Sequence, residues 1–205
     1  MIVWPLGQGT PTTTAIERVT APAVEPITPA EAKAHLRVVG DHDDDLIGSL
    51  VNAAVDLLDG EGRLGRAMIT QSWAQWFAQS PGRVRLTMGP FQSLTSVEYY
   101  DASGTLQSAS AGDFEIRKDR DFVTIGPKDG ATWPAGQTRA DAIKVTYVAG
   151  FGDAGDDVPV GIRQALLLVI GHWYENREGV TDLNMRELPM AVEALIDRHR
   201  VGWYG

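Results

Sequence analysis

The fold turns on one stretch: Val158-Pro159-Val160-Gly161-Ile162-Arg163-Gln164-Ala165-Leu166-Leu167-Leu168-Val169-Ile170-Gly171-His172-Trp173-Tyr174-Glu175. Helix begins after Pro159. Ile162, Ala165, Leu166, Val169, Ile170 and Trp173 recur at the spacing of one helical stripe, and Leu167 and Leu168 widen it. A helix this apolar around its circumference is either central in a core or shared with a neighbouring subunit.

Downstream, residues 176–188 are polar and loop-like. A last helix is expected from Pro189 to His199, with Val192, Leu195 and Ile196 on one side, before the terminal Val201-Gly202-Trp203-Tyr204-Gly205. Upstream, from Ala67 to Ala149, the period changes to that of strands. About six are expected: Ile69 to Phe77, the alternating Val84-Arg85-Leu86-Thr87-Met88, Val97 to Tyr100, Phe114 to Arg117, Phe122 to Ile125 and Ile143 to Val148. Asp101-Ala102-Ser103-Gly104 reads as a turn.

Ahead of this block stands a second helical region. Thr28-Pro29-Ala30-Glu31 has the form of a capping box with Pro at the first helical position, opening a short helix to about Val38. A longer helix starts at Asp41 to Asp45, carries Leu46, Ile47, Leu50, Val51, Ala54, Leu57 and Leu58 on one stripe, and ends at Gly60, Gly62 and Gly65. Residues 1–27, with Pro5, Pro11, Pro22 and Pro26, read as an extended N-terminal arm. The fold class expected is α+β: a helical body of two N-terminal and two C-terminal helices, at 28–66 and 158–200, with an antiparallel β-rich insertion at 67–150. Residues 201–205 form a C-terminal tail.

Composition sets outer limits. The chain is 43% hydrophobic and 22% charged, enough apolar material for a buried core. It has no cysteine, so disulfides and thiolate metal sites are excluded. A net charge of −9 argues against a surface that grips phosphates, without excluding a local basic patch. DNA also slides more freely past an acidic surface. No apolar run approaches the roughly 20 residues of a membrane span, and the first residues lack the basic start of a secretory signal.

No chemistry-bearing constellation stands out. An EF-hand loop from Asp41 needs Gly sixth and Glu twelfth, where this chain has Leu46 and Asn52. The acidic run is better read as satisfying free amides and opposing the macrodipole at a helix start. His172 and Glu175 are three apart and share a helix face, as an acid–base or ligand pair would. His35, His42 and His199 are isolated, however, and an imidazole packed beside tryptophan is the plainer reading. Gly126 to Thr132 does not match a phosphate loop, Gly7-Gln8-Gly9 lacks the third glycine of a dinucleotide fingerprint, and Ser72, Ser80, Ser93 and Ser96 sit in no nucleophile elbow. No catalytic, cofactor or metal residue is expected, and the chain is read as a non-enzyme.

Arg177, Arg186, Arg198 and Arg200 are interleaved with acidic residues, as on a mixed solvated or intersubunit surface. Trp203 and Tyr204, flanked by glycines, either fold back on the domain or anchor a partner, since large aromatics dominate interface energy.

Taken in order, several segments resemble the phage head–tail connector (adaptor) family of tailed phages and phage-like gene transfer agents. They are Ile27 to Leu36, Asp41 to Leu46, Val97 to Asp101, Trp133-Pro134, Val145 to Gly152, Val158 to Glu178 and the Leu188-Pro189…Leu195-Ile196…Arg200 tail, together spanning about residues 27–200. The resemblance implies a homo-oligomeric ring, commonly of twelve subunits, seated on the portal protein and extending the DNA channel. DNA would pass without sequence-specific binding, and a stopper or tail-terminator protein would attach below.

Family members often dock C-terminal segments on the portal, so Trp203, Tyr204, Arg198, Arg200, Leu195 and Ile196 are the candidate portal or neighbour interface. The implied location is the neck of a virion or phage-like particle, with host cytoplasm before assembly and no membrane. The alternative is a transient assembly or tail-completion factor of the same particle that is not retained in the mature virion.

Overall fold

The computed structural model describes residues 13–78, 83–119, 122–133, 136, 139–176 and 190–200. In chain order these form β1 (Thr13–Thr20), α1 (Pro29–Leu36), α2 (Asp44–Leu58), β2 (Gln71–Phe77), β3 (Val84–Leu86), β4 (Phe91–Tyr100) and β5 (Leu106–Ala109). Next come β6 (Phe114–Lys118), β7 (Val123–Pro127), β8 (Ile143–Ala149), α3 (Val160–Glu175) and α4 (Met190–Asp197). The class is α+β. The chain divides into two units: a β unit up to Ala21 and over Gln71–Ala149, and a helical unit over Pro22–Thr70 and from Gly150 onward.

In the helical unit, α1 starts as its sequence dictates. The Thr28 hydroxyl accepts from the Glu31 amide at 3.2 Å, and the Thr28 amide donates to the Glu31 carboxylate at 2.8 Å. The helix stops at Arg37, which takes the left-handed conformation (φ 57°). α3 is the central element, packed against α1, α2 and α4. Its Ile162, Ala165, Leu166, Val169, Ile170 and Trp173 are buried with Ile47, Val51, Ala54 and Leu58 of α2 and with Val192 and Ile196 of α4. Leu167 and Leu168 are half-buried, so the apolar girth of α3 is largely covered within its own unit.

The acidic run does not cap α2 as expected. Asp43 is the N-cap residue but makes no side-chain capping bond. Asp43 instead accepts from the Tyr174 hydroxyl, and Asp44 pairs with Lys33 at 2.5 Å. The run therefore ties α2 to its neighbours, while Asp44 and Asp45 still oppose the macrodipole from the first turn.

The β unit holds a five-stranded antiparallel sheet, ordered β1-β2-β8-β4-β5, and a three-stranded sheet, β3-β7-β6. Strict alternation along β8 turns Ile143, Val145, Tyr147 and Ala149 inward. They meet Trp73, Gln75 and Phe77 of β2 and Val97 of β4, all buried. In the smaller sheet Val84, Ile125 and Phe114 face inward, and the Phe114 ring packs on Trp133 at 5.0 Å.

Gln75 joins the two sheets. Its amide nitrogen donates to the Arg85 carbonyl at 3.0 Å and to the Thr13 hydroxyl at 2.7 Å, while its oxygen accepts from the Thr87 amide at 2.9 Å. The Tyr147 hydroxyl accepts from the Met88 amide at 3.0 Å and points back to Gln75 at 3.4 Å.

Three strand expectations change. Thr13–Thr20, read from sequence as part of an arm, pairs antiparallel with β2 as an edge strand. Leu106–Ala109 forms β5, and β4 begins at Phe91 rather than Val97. Ile69 lies just before β2. There Thr70 donates to the Gly152 carbonyl at 2.9 Å, Phe151 donates to the Met68 carbonyl at 3.0 Å, and Gly150 (φ 142°) passes so close that a Cβ would meet Ile69 backbone at 2.6 Å.

Candidate functional site

The residues expected to meet a partner lie at the end of the helical unit, and the chain fixes that end firmly. The glycine-rich turn after α2 folds back on itself: Gly60 donates to the Arg66 carbonyl at 2.7 Å, and Arg63 to the Leu57 carbonyl at 2.9 Å. The buried Asp59 accepts from the Met68 amide at 2.7 Å. This turn presents Arg63 and Arg66 to α4.

Arg63 pairs with Glu193 at 2.5 Å, and Arg66 donates to the His199 carbonyl at 2.6 Å. Arg200 donates to the Arg63 carbonyl at 3.0 Å and pairs with Asp197 at 3.1 Å and Glu193 at 3.4 Å. Two arginines thus hold the last described residues, and the direction in which the chain leaves α4 is set by charge-assisted bonds.

Packing adds to this clamp. Val192 and Ile196 are fully buried, which commits Ile196 to the chain's own core, while Leu195 is half-buried and Arg198 exposed. His199 lies against Gly161 of α3, where a Cβ would sit 3.0 Å from the imidazole Nε2. Burial, with Arg198 and Arg66 nearby, pushes the His199 pKa down, which favours the neutral ring. Trp203 and Tyr204, like Arg177 and Arg186, lie outside the described residues.

The remaining sequence candidates do not converge. His172 is exposed, and its ring and carbonyl face Asn176, at 3.4 and 2.8 Å. Among the described residues no group of three His, Asp or Glu is arranged to hold a metal ion, and no helix is long and apolar enough to cross a membrane. Sequence reasoning missed Arg63 and Arg66 as the holders of α4. Only their place beside the turn glycines hinted at it.

The chain is α+β, with its C-terminal helix held by arginines from the turn after α2. Residues 140–200 match the family model described as phage gp6-like head-tail connector protein. A chain in the neck of an empty GTA particle computed with C6 symmetry superposes with TM-score 0.70 at 23% identity, covering 92% of this chain and 96% of that one. A chain from the virion of the native gene transfer agent (GTA) particle gives 0.70 at 25%, covering 91% and 95%. One in the neck of the native GTA particle computed with C12 symmetry gives 0.69 at 25%, covering 92% and 96%. No curated protein matches by sequence. The resemblance to the head–tail connectors thus lies in the family pattern over 140–200, and the fold of nearly the whole chain resembles chains of the GTA virion and neck.

Proposed function

We propose that this chain is a structural subunit of the neck of a phage-type particle, a head–tail adaptor without catalytic function. In this reading it forms a ring, of twelve copies, below the portal protein, extends the DNA channel, and offers the attachment site for a stopper or tail-terminator protein. The helices of 28–66 and 158–200 act as the connector body and the strands of 67–150 as its insertion. The carrying observation is the similarity to GTA neck and virion chains over more than nine-tenths of both partners. A heterologous contact that closes on itself gives such a ring.

The C-terminal clamp supports a docking role for the residues beyond Arg200. Arg198 is exposed beside Arg200, half-buried Leu195 borders them, and Ile196 holds the helix from within. Trp203 and Tyr204 then act as anchors carried at a fixed exit point. DNA passes through the ring without sequence-specific binding, and the subunit waits in host cytoplasm before assembly.

Quantitative mass spectrometry of purified mature particles tests this reading. The expected result is recovery at ring stoichiometry relative to the portal protein. Absence from mature particles, with presence in assembly intermediates, would replace it by a transient assembly or tail-completion factor.

A further inference from the structure

The net charge of the chain sits entirely on one unit. Residues 1–21 and 71–149 contain nine Lys and Arg and nine Asp and Glu, while residues 22–70 and 150–205 contain nine and eighteen. The β unit is thus neutral overall, and the helical unit carries the full −9. Within the neutral unit the basic groups are not evenly spread.

The outward face of the three-stranded sheet bears a row of arginines. Arg85 of β3 and Arg117 of β6 both pair in register with Thr124 of β7, which places the three side chains in line across the sheet. Val84, Leu86, Ile125 and Phe114 occupy the opposite, buried face. Arg83, next on the outward side, reaches Glu115 at 3.1 Å and the Thr124 hydroxyl at 3.2 Å. Arg117 takes the same Glu115 carboxylate at 2.8 Å. The Arg85 guanidinium lies over the Phe122 ring, 4.5 Å from its centroid, a cation–π contact. Two of the three guanidiniums therefore share the Glu115 carboxylate, Arg85 does not reach it, and Asp119 lies just past the end of β6.

We propose that this arginine face docks on the acidic helical unit of a second copy of the chain. The inference rests on the neck-subunit reading and adds which surfaces meet. Contact between two helical units sets −9 against −9 and is disfavoured, whereas a head-to-tail contact brings unlike surfaces together and closes a ring. Duplex DNA is the competing polyanion. Gripping it takes many phosphate contacts, and here Glu115 already occupies two of the three guanidiniums.

The test uses the full chain assembled with its particle. Charge reversal in R85E/R117E should lower its occupancy in particles tenfold or more, and wild-type rings should loosen as salt rises. R85Q/R117Q covers a reversed pair that does not fold, and circular dichroism checks both. Lysine placed singly at the exposed helical-unit carboxylates Asp41, Asp45, Asp56 or Asp153 should restore occupancy of R85E/R117E at one or more positions. Wild-type occupancy of folded R85E/R117E, or no rescue at any position, overturns the inference. So does an intact variant ring in which only DNA retention changes, which would assign the face to DNA. Wild-type chain missing from particles sinks the neck reading itself, and this inference with it.

Discussion

Replacing Tyr147 by Phe removes one oxygen from the middle of the β unit, and the structure says what that oxygen does. It accepts from the Met88 amide at 3.0 Å, and both residues are buried. Its bond toward Gln75 is long at 3.4 Å, and Gln75 keeps its three other partners, so little is lost there. The ring stays in place against Phe91, so no cavity opens. What remains is one orphaned buried amide, at a cost of about 1–3 kcal/mol. For a chain of this size that is a fall in Tm of roughly 2–12 °C.

Thermal denaturation of Tyr147→Phe followed by tryptophan fluorescence reads the loss, since Trp73 pairs in register with residue 147. Amide exchange at Met88 should accelerate in parallel. An unchanged Tm with Met88 still protected would refute the reasoning. The same hydroxyl gives a pH signature. Burial raises the Tyr147 pKa above its ordinary 10.0, so the unfolded chain releases this proton first. This contribution to stability is fully present below a pH of about 10 and is lost as pH rises toward the folded value. Tyr147→Phe should flatten that part of the alkaline stability profile.

Thr28→Ala removes the hydroxyl arm of the capping box at α1, while the residue-28 amide can still donate to Glu31, and should cost about 1 kcal/mol, read by chemical denaturation; a neutral result would mean that Pro29, packing and that remaining bond set the helix start. Asp101 collects bonds from Ser103, Gln107 and Thr105, which hold its carboxyl down to about 2. Asp101→Ala should speed amide exchange at Ser103 and Thr105 while leaving Tm nearly unchanged, and protected amides would contradict it. Deleting residues 201–205 should spare folding, because the arginine clamp on α4 ends at Arg200, and should weaken portal attachment. An unfolded truncated chain would show that the tail belongs to the core instead.

The helices were the legible part of this chain. The Thr28–Glu31 box and the stripe from Ile162 to Trp173 carry their signal locally, and α1 and α3 form on those residues. The strands were only partly legible. β1 contains threonines, Glu17 and Arg18 and has one hydrogen-bonded neighbour, so most of it is exposed and no apolar alternation marks it. β5, Leu-Gln-Ser-Ala, is likewise exposed, and its pairing with β4 continues from the Asp101 turn, which the Gln107 side chain joins.

The role of the acidic run was hidden for a related reason. Its partners, Lys33 and Tyr174, come from elements that only the tertiary fold brings to α2. The arginine row was invisible for the same cause. Alternation in Arg83-Val84-Arg85-Leu86 shows a strand, but only the β3-β7-β6 register lines Arg85 up with Arg117.

Electron cryo-microscopy of assembled particles tests the assignment of this chain to the neck most directly. Density for its two-unit fold should appear as a closed ring between portal and tail, with the chain downstream of Arg200 directed at the portal. Finding the chain in the capsid shell or a tail fibre, or finding a neck built without it, would contradict the account.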